Sequence, residues 1–274
     1  MHSATFVLST GRCGTQWLAA SLAKAYGDVL HVEHEPLHDQ YRSRQMLAAR
    51  GSLPDEADTS RRILGHVNAI ARHLEARDYV ECGHPCWSAI PYLAAQFSGR
   101  VRVIHLTRHP VPTALSWITH QAFSPPLLPH IPEKVLLLPH DDGVAFPEYR
   151  GLWPTLTPYE KCLYYWAEVN TFGLDQRGRL RIPWLQISYE SLFWDEGLSD
   201  LLTFLGLPFD DSIASARGTL LDRFRFAALA CPDPALVERH PRVVEIAQRL
   251  GYDVNGIDPK VLRLRYLRFN QSER

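Results

Sequence analysis

Two rhythms of apolar residues alternate along this chain. Short runs rich in β-branched residues read as strands: ATFVLS at 4–9, DVLHVEH at 28–34, YVECG at 79–83, VRVIHLT at 101–107 and IPWLQIS at 182–188. Near-continuous apolar runs of that length suit strands covered on both faces. Between them, apolar positions recur at helical spacing in QWLAASLAKAYG (16–27), RRILGHVNAIARHLEARD (61–78), CWSAIPYLAAQF (86–97), PVPTALSWITH (110–120), YEKCLYYWAEVNTFGLDQRG (159–178), DEGLSDLLTFLGLP (195–208) and PRVVEIAQRLGYD (241–253). Gly27 is expected as a helix C-cap, and the prolines of 110–120 fall in a first turn, where a missing N–H costs nothing. Pro91 is expected to limit or kink its helix. A strand, a glycine turn and a helix at the start, followed by repeated alternation, predict an α/β fold: a three-layer sandwich with a central parallel sheet flanked by helices.

One segment breaks the rhythm. Eight of the twenty prolines lie in residues 121–158, and no regular structure is predicted there. A long irregular insertion in a compact domain suits a lid over a binding site. The whole chain, 1–274, reads as one domain carrying that insertion. The basic ending, KVLRLRYLRFNQSER at 260–274, reads as a solvated segment.

Composition narrows the function. The chain is 46% hydrophobic and 22% charged, enough apolar material for a sizeable core and too much for disorder. Its formal net charge is −1, so no global basic field exists to hold nucleic acid, and a polyanionic glycan is disfavoured. No run of roughly 18 apolar residues predicts a membrane span, and MHSATFVLSTGR is too short and polar for a signal peptide. Five cysteines form an odd, scattered set that suits reduced thiols. A cytoplasmic location is expected.

The first chemical motif is STGRCGTQW, residues 9–17. A glycine turn between a buried strand and a helix aims backbone N–H groups at one point, and the helix N-terminus adds roughly half a positive charge. This builds an anion site. It is not the ATP-binding G-x-x-x-x-G-K-[ST] loop, because only two residues separate Gly11 from Gly14 and no lysine precedes Thr15. The cation is Arg12. The second motif is TRHPVPTALSW, residues 107–117. Arg108 ends the best strand candidate, where α/β proteins place ligands, and its planar fork suits phosphate. Ser116, on the following helix, adds a neutral donor.

Together the two motifs resemble the donor site of the sulfotransferases that use 3′-phosphoadenosine 5′-phosphosulfate (PAPS). STGRCGTQW resembles their 5′-phosphosulfate loop, P-K-S-G-T-x-W in cytosolic members: Gly14, Thr15 and Trp17 match, while Arg12 replaces lysine and Cys13 serine. RHPVPTALS matches their 3′-phosphate element, R-x-P with serine at the ninth position. ISYESL at 187–192, followed by LLTFLGLP, is similar to their Y-E-D-[LM] segment and the L-G-[LV]-P beyond it. The resemblance implies a P-loop-like fold, with PAPS as donor and PAP as product. It implies donor contacts from Gly11, Arg12, Cys13, Gly14, Thr15, Gln16, Trp17, Arg108 and Ser116, with Tyr189 beside the adenine. The cytosolic R-K-G-x-x-G-x-x-K segment is absent, which points to the bacterial or carbohydrate-type branches. Arg223 and Arg225 in DRFRFAAL are weak candidates to complete the 3′-phosphate site.

The stretch HEPLH, residues 34–38, spells the zinc-protease signature H-E-x-x-H. That reading needs a helix through both histidines, and Pro36 together with its effect on Glu35 opposes one. Cys82, His84 and Cys86 have an unusual zinc spacing. No metal is expected in the chemistry. Sulfuryl transfer needs a base for the acceptor proton and preorganised charge at the departing phosphate, the latter a role for Arg12. Glu35, placed like the glutamate base of several bacterial and carbohydrate-type members, is one candidate base, and its neighbour His34 stays open. His84 is the other, because VECGHPCW resembles the K-T-H-x-P strand end of cytosolic members.

Trp87, Trp117, Trp153, Tyr164, Tyr165 and Trp166 are candidate walls of an acceptor cleft. The expected activity is transfer from PAPS to a hydroxyl or amine of a small-molecule, lipid or carbohydrate acceptor. The alternatives are a non-catalytic PAP-binding relative and a nucleotide-dependent kinase.

Overall fold

The computed structural model describes residues 1–124, 135–218 and 232–258. Its strands are β1 (Ala4–Leu8), β2 (Leu30–His34), β3 (Asp78–Cys82), β4 (Val101–Thr107) and β5 (Trp184–Ser188). They form one parallel sheet in the order β2-β3-β1-β4-β5. The helices that matter here are α1 (Thr15–Tyr26), α2 (Ser43–Ala48), α3 (Ala57–His73), α4 (Ile90–Gln96), α5 (Pro110–Ile118), α6 (Pro158–Arg179), α7 (Tyr189–Trp194), α8 (Gly197–Leu205), α9 (Asp211–Ser215) and α10 (Pro241–Arg249). The expected α/β sandwich with a parallel central sheet is present.

The alternation of side chains along each strand sorts the core into two layers. Ala4, Phe6 and Leu8 of β1 and Val101 and Val103 of β4 face a core built with α3, α4, α5, α6 and α10. Val7 of β1 and Ile104 and Leu106 of β4 face the other core, with α1, α8 and Ile213 of α9. Both faces are covered, which is why these strands read as continuous apolar runs. From β1 the chain goes to β2 and β3 on one side, then crosses to β4 and β5 on the other. The carboxyl ends of β1 and β4 therefore flank the point where the winding reverses, the place where α/β sheets open a ligand crevice.

Several local expectations changed. Pro91 does not kink a helix; a 3-10 turn at Trp87–Ala89 precedes it and the proline sits in the first turn of α4. Helix α6 is buried nearly all round, so it runs through the core. It starts from a capping box of Thr157 and Glu160. Part of the described insertion is packed into the core. Leu136 and Leu137 are fully buried, Phe146 and Tyr149 nearly so, and Glu168 of α6 accepts hydrogen bonds from the backbone N–H groups of Ala145 and Phe146. Arg44 and Asp141 form an ion pair across it. Residues 125–134, 219–231 and 259–274 lie outside the described residues, and with them part of the expected lid, Arg223, Arg225 and the basic ending. No helix among the described residues is long and apolar enough to cross a membrane.

Candidate active site

The loop after β1 is shaped by three residues in the left-handed region: Gly11 (φ 74), Arg12 (φ 61) and Gly14 (φ 84). Two of these positions also need glycine for space. A Cβ on Gly11 would lie 2.8 Å from the Trp117 ring and 3.0 Å from His84 Cγ, and one on Gly14 would lie 2.9 Å from the Phe193 ring. Gly14 caps α1, and its carbonyl accepts from Leu18 N–H. The turn is fixed from within, since the Gly11 N–H donates to Ser9 Oγ at 3.1 Å and the Cys13 thiol donates to the Gly11 carbonyl at 3.1 Å. Trp117 Nε1 on α5 donates to the Thr10 carbonyl at 3.1 Å.

The cations meet this loop from two sides. Arg12 Nε donates to Ser116 Oγ at 3.0 Å. Arg108 donates to the Arg12 carbonyl at 2.7 Å and lies over the Tyr189 ring, 4.4 Å from its centroid. A guanidinium in that place gains from the negative face of the ring. Tyr189 packs on Phe193 at 4.4 Å, and Phe193 on Trp17 at 4.6 Å. The two predicted motifs and the tyrosine of the third thus converge on one loop. Thr15 Oγ1 lies 3.4 Å from His34 Nε2. Gln16 is exposed on α1. Cys13 is fully buried, and burial pushes its thiol up to about 11. Its side chain packs in the core beneath the loop, where the thiol holds the Gly11 carbonyl.

The stretch HEPLH is not a helix. His34 ends β2, Glu35 turns the chain with φ 50, and His38 opens a 3-10 turn at His38–Tyr41. Glu35 N–H continues the ladder to the Cys82 carbonyl at 3.1 Å. The Glu35 side chain crosses Gly83, where a Cβ would come within 2.5 Å of its Cγ. It ends on His84, with Oε1 2.9 Å from Nδ1. The two rival bases are one dyad. Burial alone would raise the Glu35 carboxyl, but the charge and hydrogen bond of His84 outweigh it and hold the group at about 2. His84 Nε2 is buried with no hydrogen-bond partner among the described residues, and the ring stands edge-on to Trp117 at 5.3 Å. The buried Cys82 and Cys86 thiols are pushed far up by desolvation, and Cys86 donates to the Gly83 carbonyl at 3.4 Å, so this trio does not converge as a ligand set.

Glu190 was not anticipated. It accepts from His109 N–H and from the Tyr252 hydroxyl, each at 3.2 Å, and so clamps the turn that carries Arg108. Its signal was the acidic residue of ISYESL. Phe193, under Gly14, was also missed. Of the aromatic wall candidates, Trp87, Tyr164, Tyr165 and Trp166 are fully buried and serve the core. Trp166 also donates to the Arg108 carbonyl at 2.8 Å. Trp117 reaches the site, and Trp153 is partly exposed beside Phe123 at 5.4 Å.

No model of a known protein family matches the sequence, and no curated protein matches it. Solved structures do match the fold. The sulfotransferase domain from the curacin biosynthetic pathway aligns over 92% of this chain and 99% of its own, with TM-score 0.53 and 17% identity. The sulfotransferase domain of the Synechococcus PCC 7002 olefin synthase aligns over 92% and 96%, with TM-score 0.52 and 20% identity. This chain has the sulfotransferase fold.

Proposed function

We propose that this chain is a PAPS-dependent sulfotransferase acting on a hydroxyl or amine of a small-molecule, lipid or carbohydrate acceptor. The observation that carries this reading is the position of His84: its ring lies against Gly11 of the anion loop, and its Nε2 has no hydrogen-bond partner among the described residues. A proton acceptor beside an anion cradle is what sulfuryl transfer requires.

PAPS supplies the sulfuryl group. In this reading the loop N–H groups and Arg12 hold the 5′-phosphosulfate end, while Arg108 and Ser116 take the 3′-phosphate and Tyr189 flanks the adenine. Glu35 accepts the Nδ1–H of His84, which fixes the tautomer that leaves Nε2 a lone pair. The acceptor proton passes to Nε2 as the acceptor atom bonds to sulfur in line with the departing phosphate oxygen. The charge growing on that oxygen is met by the loop and Arg12 without reorganisation. Glu35, ionised over the working range, stabilises the imidazolium. A base so placed contributes typically ~10²–10⁴-fold.

Thermal shift with PAP tests the donor half, against ADP with magnesium as the kinase arm. A ligand at about 100 times its dissociation constant adds ~2.7 kcal/mol, several degrees for a chain of this size. A rise with PAP and none with ADP is expected, followed by PAP release from PAPS when an acceptor panel is supplied. No rise with PAP overturns the reading, and PAP binding without turnover on any acceptor reduces it to a binding protein.

A further inference from the structure

A second cluster lies on β2 and the end of α3, and the proposed chemistry does not use it. His31 and Glu33 are two apart on the strand and so share a face. His73 is the last residue of α3. One ligand atom from each, two imidazole nitrogens and a carboxylate oxygen, lie within 4.8 Å of one another, and all three side chains are partly exposed. Among the described residues no other group of three His, Cys, Asp or Glu closes to this spacing.

The geometry is close to a metal's. Zinc bonds to nitrogen at ~2.0–2.1 Å and to oxygen at ~2.0–2.2 Å, so tetrahedral ligand atoms sit roughly 3.3–3.5 Å apart. His31 Nε2 and Glu33 Oε1 are 3.2 Å apart, and the His31 and His73 rings stack at 3.5 Å. The two ring planes are 13° from parallel, so the His73 ring must turn out of the stack to aim its nitrogen at the same ion.

A supporting shell is already built behind the cluster. The Tyr79 hydroxyl donates to Glu33 Oε2 at 2.7 Å, leaving Oε1 turned to His31. Tyr79 is anchored to the fully buried Glu81, 3.2 Å away, which in turn meets His66 Nε2 at 2.9 Å and the Tyr41 hydroxyl at 2.7 Å. A hydroxyl that hydrogen-bonds a ligating carboxylate in this way is a usual outer-shell partner of a metal site. The nearby cations turn to backbone instead: Arg72 donates to the Asn68 carbonyl and Arg77 to the Gly27 carbonyl. The carboxyl end of α3 adds a negative dipole end.

We infer that His31, Glu33 and His73 bind one divalent transition metal of the zinc class, with the fourth position open to solvent. Two imidazoles and one carboxylate select zinc, nickel or cobalt over magnesium or calcium. The ion fastens β2, which among the described residues pairs with β3 alone, to the end of α3.

The test uses the full chain stripped with chelator and titrated with zinc chloride, read by calorimetry and by melting temperature. One equivalent per chain and a rise of several degrees are expected, with no response to magnesium chloride. His31→Gln and His73→Gln should each weaken binding at least ~10-fold while Glu35→Gln binds as wild type, which separates this cluster from His34, His38 and His84. Cobalt chloride gives a reading on wild type that needs no variant: a low-coordination visible band with histidine ligation. Absence of saturable zinc binding, a hexaaqua-like cobalt spectrum, or unchanged binding in both histidine variants overturns the site.

Discussion

Glu35 Oε1 and His84 Nδ1 stand 2.9 Å apart although 49 positions separate them in the chain. They meet because β2 and β3 run parallel with His34 opposite Cys82, so each residue follows just beyond its strand end. Acid and imidazole therefore act as a unit, and their mutational effects should not add. His84→Ala is expected to lower turnover ~10²–10⁴-fold. Glu35→Gln should lower it less, and the double variant should match His84→Ala. Steady-state kinetics on all three check this. Near-wild-type turnover of His84→Ala would remove the base assignment.

The same contact links stability to pH. The Glu35 carboxyl falls from an ordinary 4.5 to about 2 in the fold, so the folded state binds this proton less readily than the unfolded chain. Its contribution is fully present above the unfolded value and is lost as pH falls through about 2. The full difference corresponds to roughly 3 kcal/mol, an upper bound for a side chain that is slightly exposed. Urea midpoints of wild type and Glu35→Gln should be well separated at pH 7 and converge as the solution is acidified. A gap that stays constant down to the acid limit contradicts the linkage.

In the proposed role Arg108 would bind PAP through shape as well as charge. It lies flat over Tyr189 while holding the Arg12 carbonyl. Arg108→Ala should weaken PAP by about 10–100-fold, the range of a charge-assisted hydrogen bond. Arg108→Lys should rescue little, because an ammonium reproduces neither the fork nor the stacking. Calorimetric titration with PAP decides; unaltered affinity in Arg108→Ala would contradict the 3′-phosphate role.

Gly11→Ala places a methyl group against Trp117 and His84 at a backbone angle of φ 74. Left-handed strain of this kind costs about 1–3 kcal/mol. The expected result is a lower melting temperature together with a disproportionate loss of activity, since the methyl displaces His84. A loss of stability with full activity would place the imidazole elsewhere during turnover.

Thiol chemistry should be slow. Cys13, Cys82, Cys86 and Cys162 are all buried, and desolvation raises each thiol, Cys13 to about 11. Thiolate is the reactive form. Peptide mapping after brief iodoacetamide treatment of native protein should find these four unmodified, and rapid labelling of Cys13 would show that the loop is open.

Periodicity located β1 to β5 and most of the helices that flank them; β1 was plainest, because a strand buried on both faces is written as an unbroken apolar run. Glycine spacing located the loop because left-handed backbone at Gly11 and Gly14 is a local requirement. The dyad was visible only as two competitors, since which strand ends become neighbours depends on register. Tyr164, Tyr165 and Trp166 looked like a cleft wall; α6 passes through the core, and aromatics packed on all sides leave no polar face to betray that. Residues 135–158 looked irregular because prolines hide packing. Val135 to Leu137 nevertheless supply a buried apolar run.

Strand β2 carries Glu35 at its tail and, among the described residues, has a strand partner on one side only. Rows of this kind open with less free energy than the sheet centre. Fraying of β2 would carry the carboxylate away from His84 while β1, β4 and the glycine loop stayed folded. Catalysis would then fail before the molecule melts, and the ratio of activity to PAP binding would serve as a gauge of how firmly that outermost strand is seated.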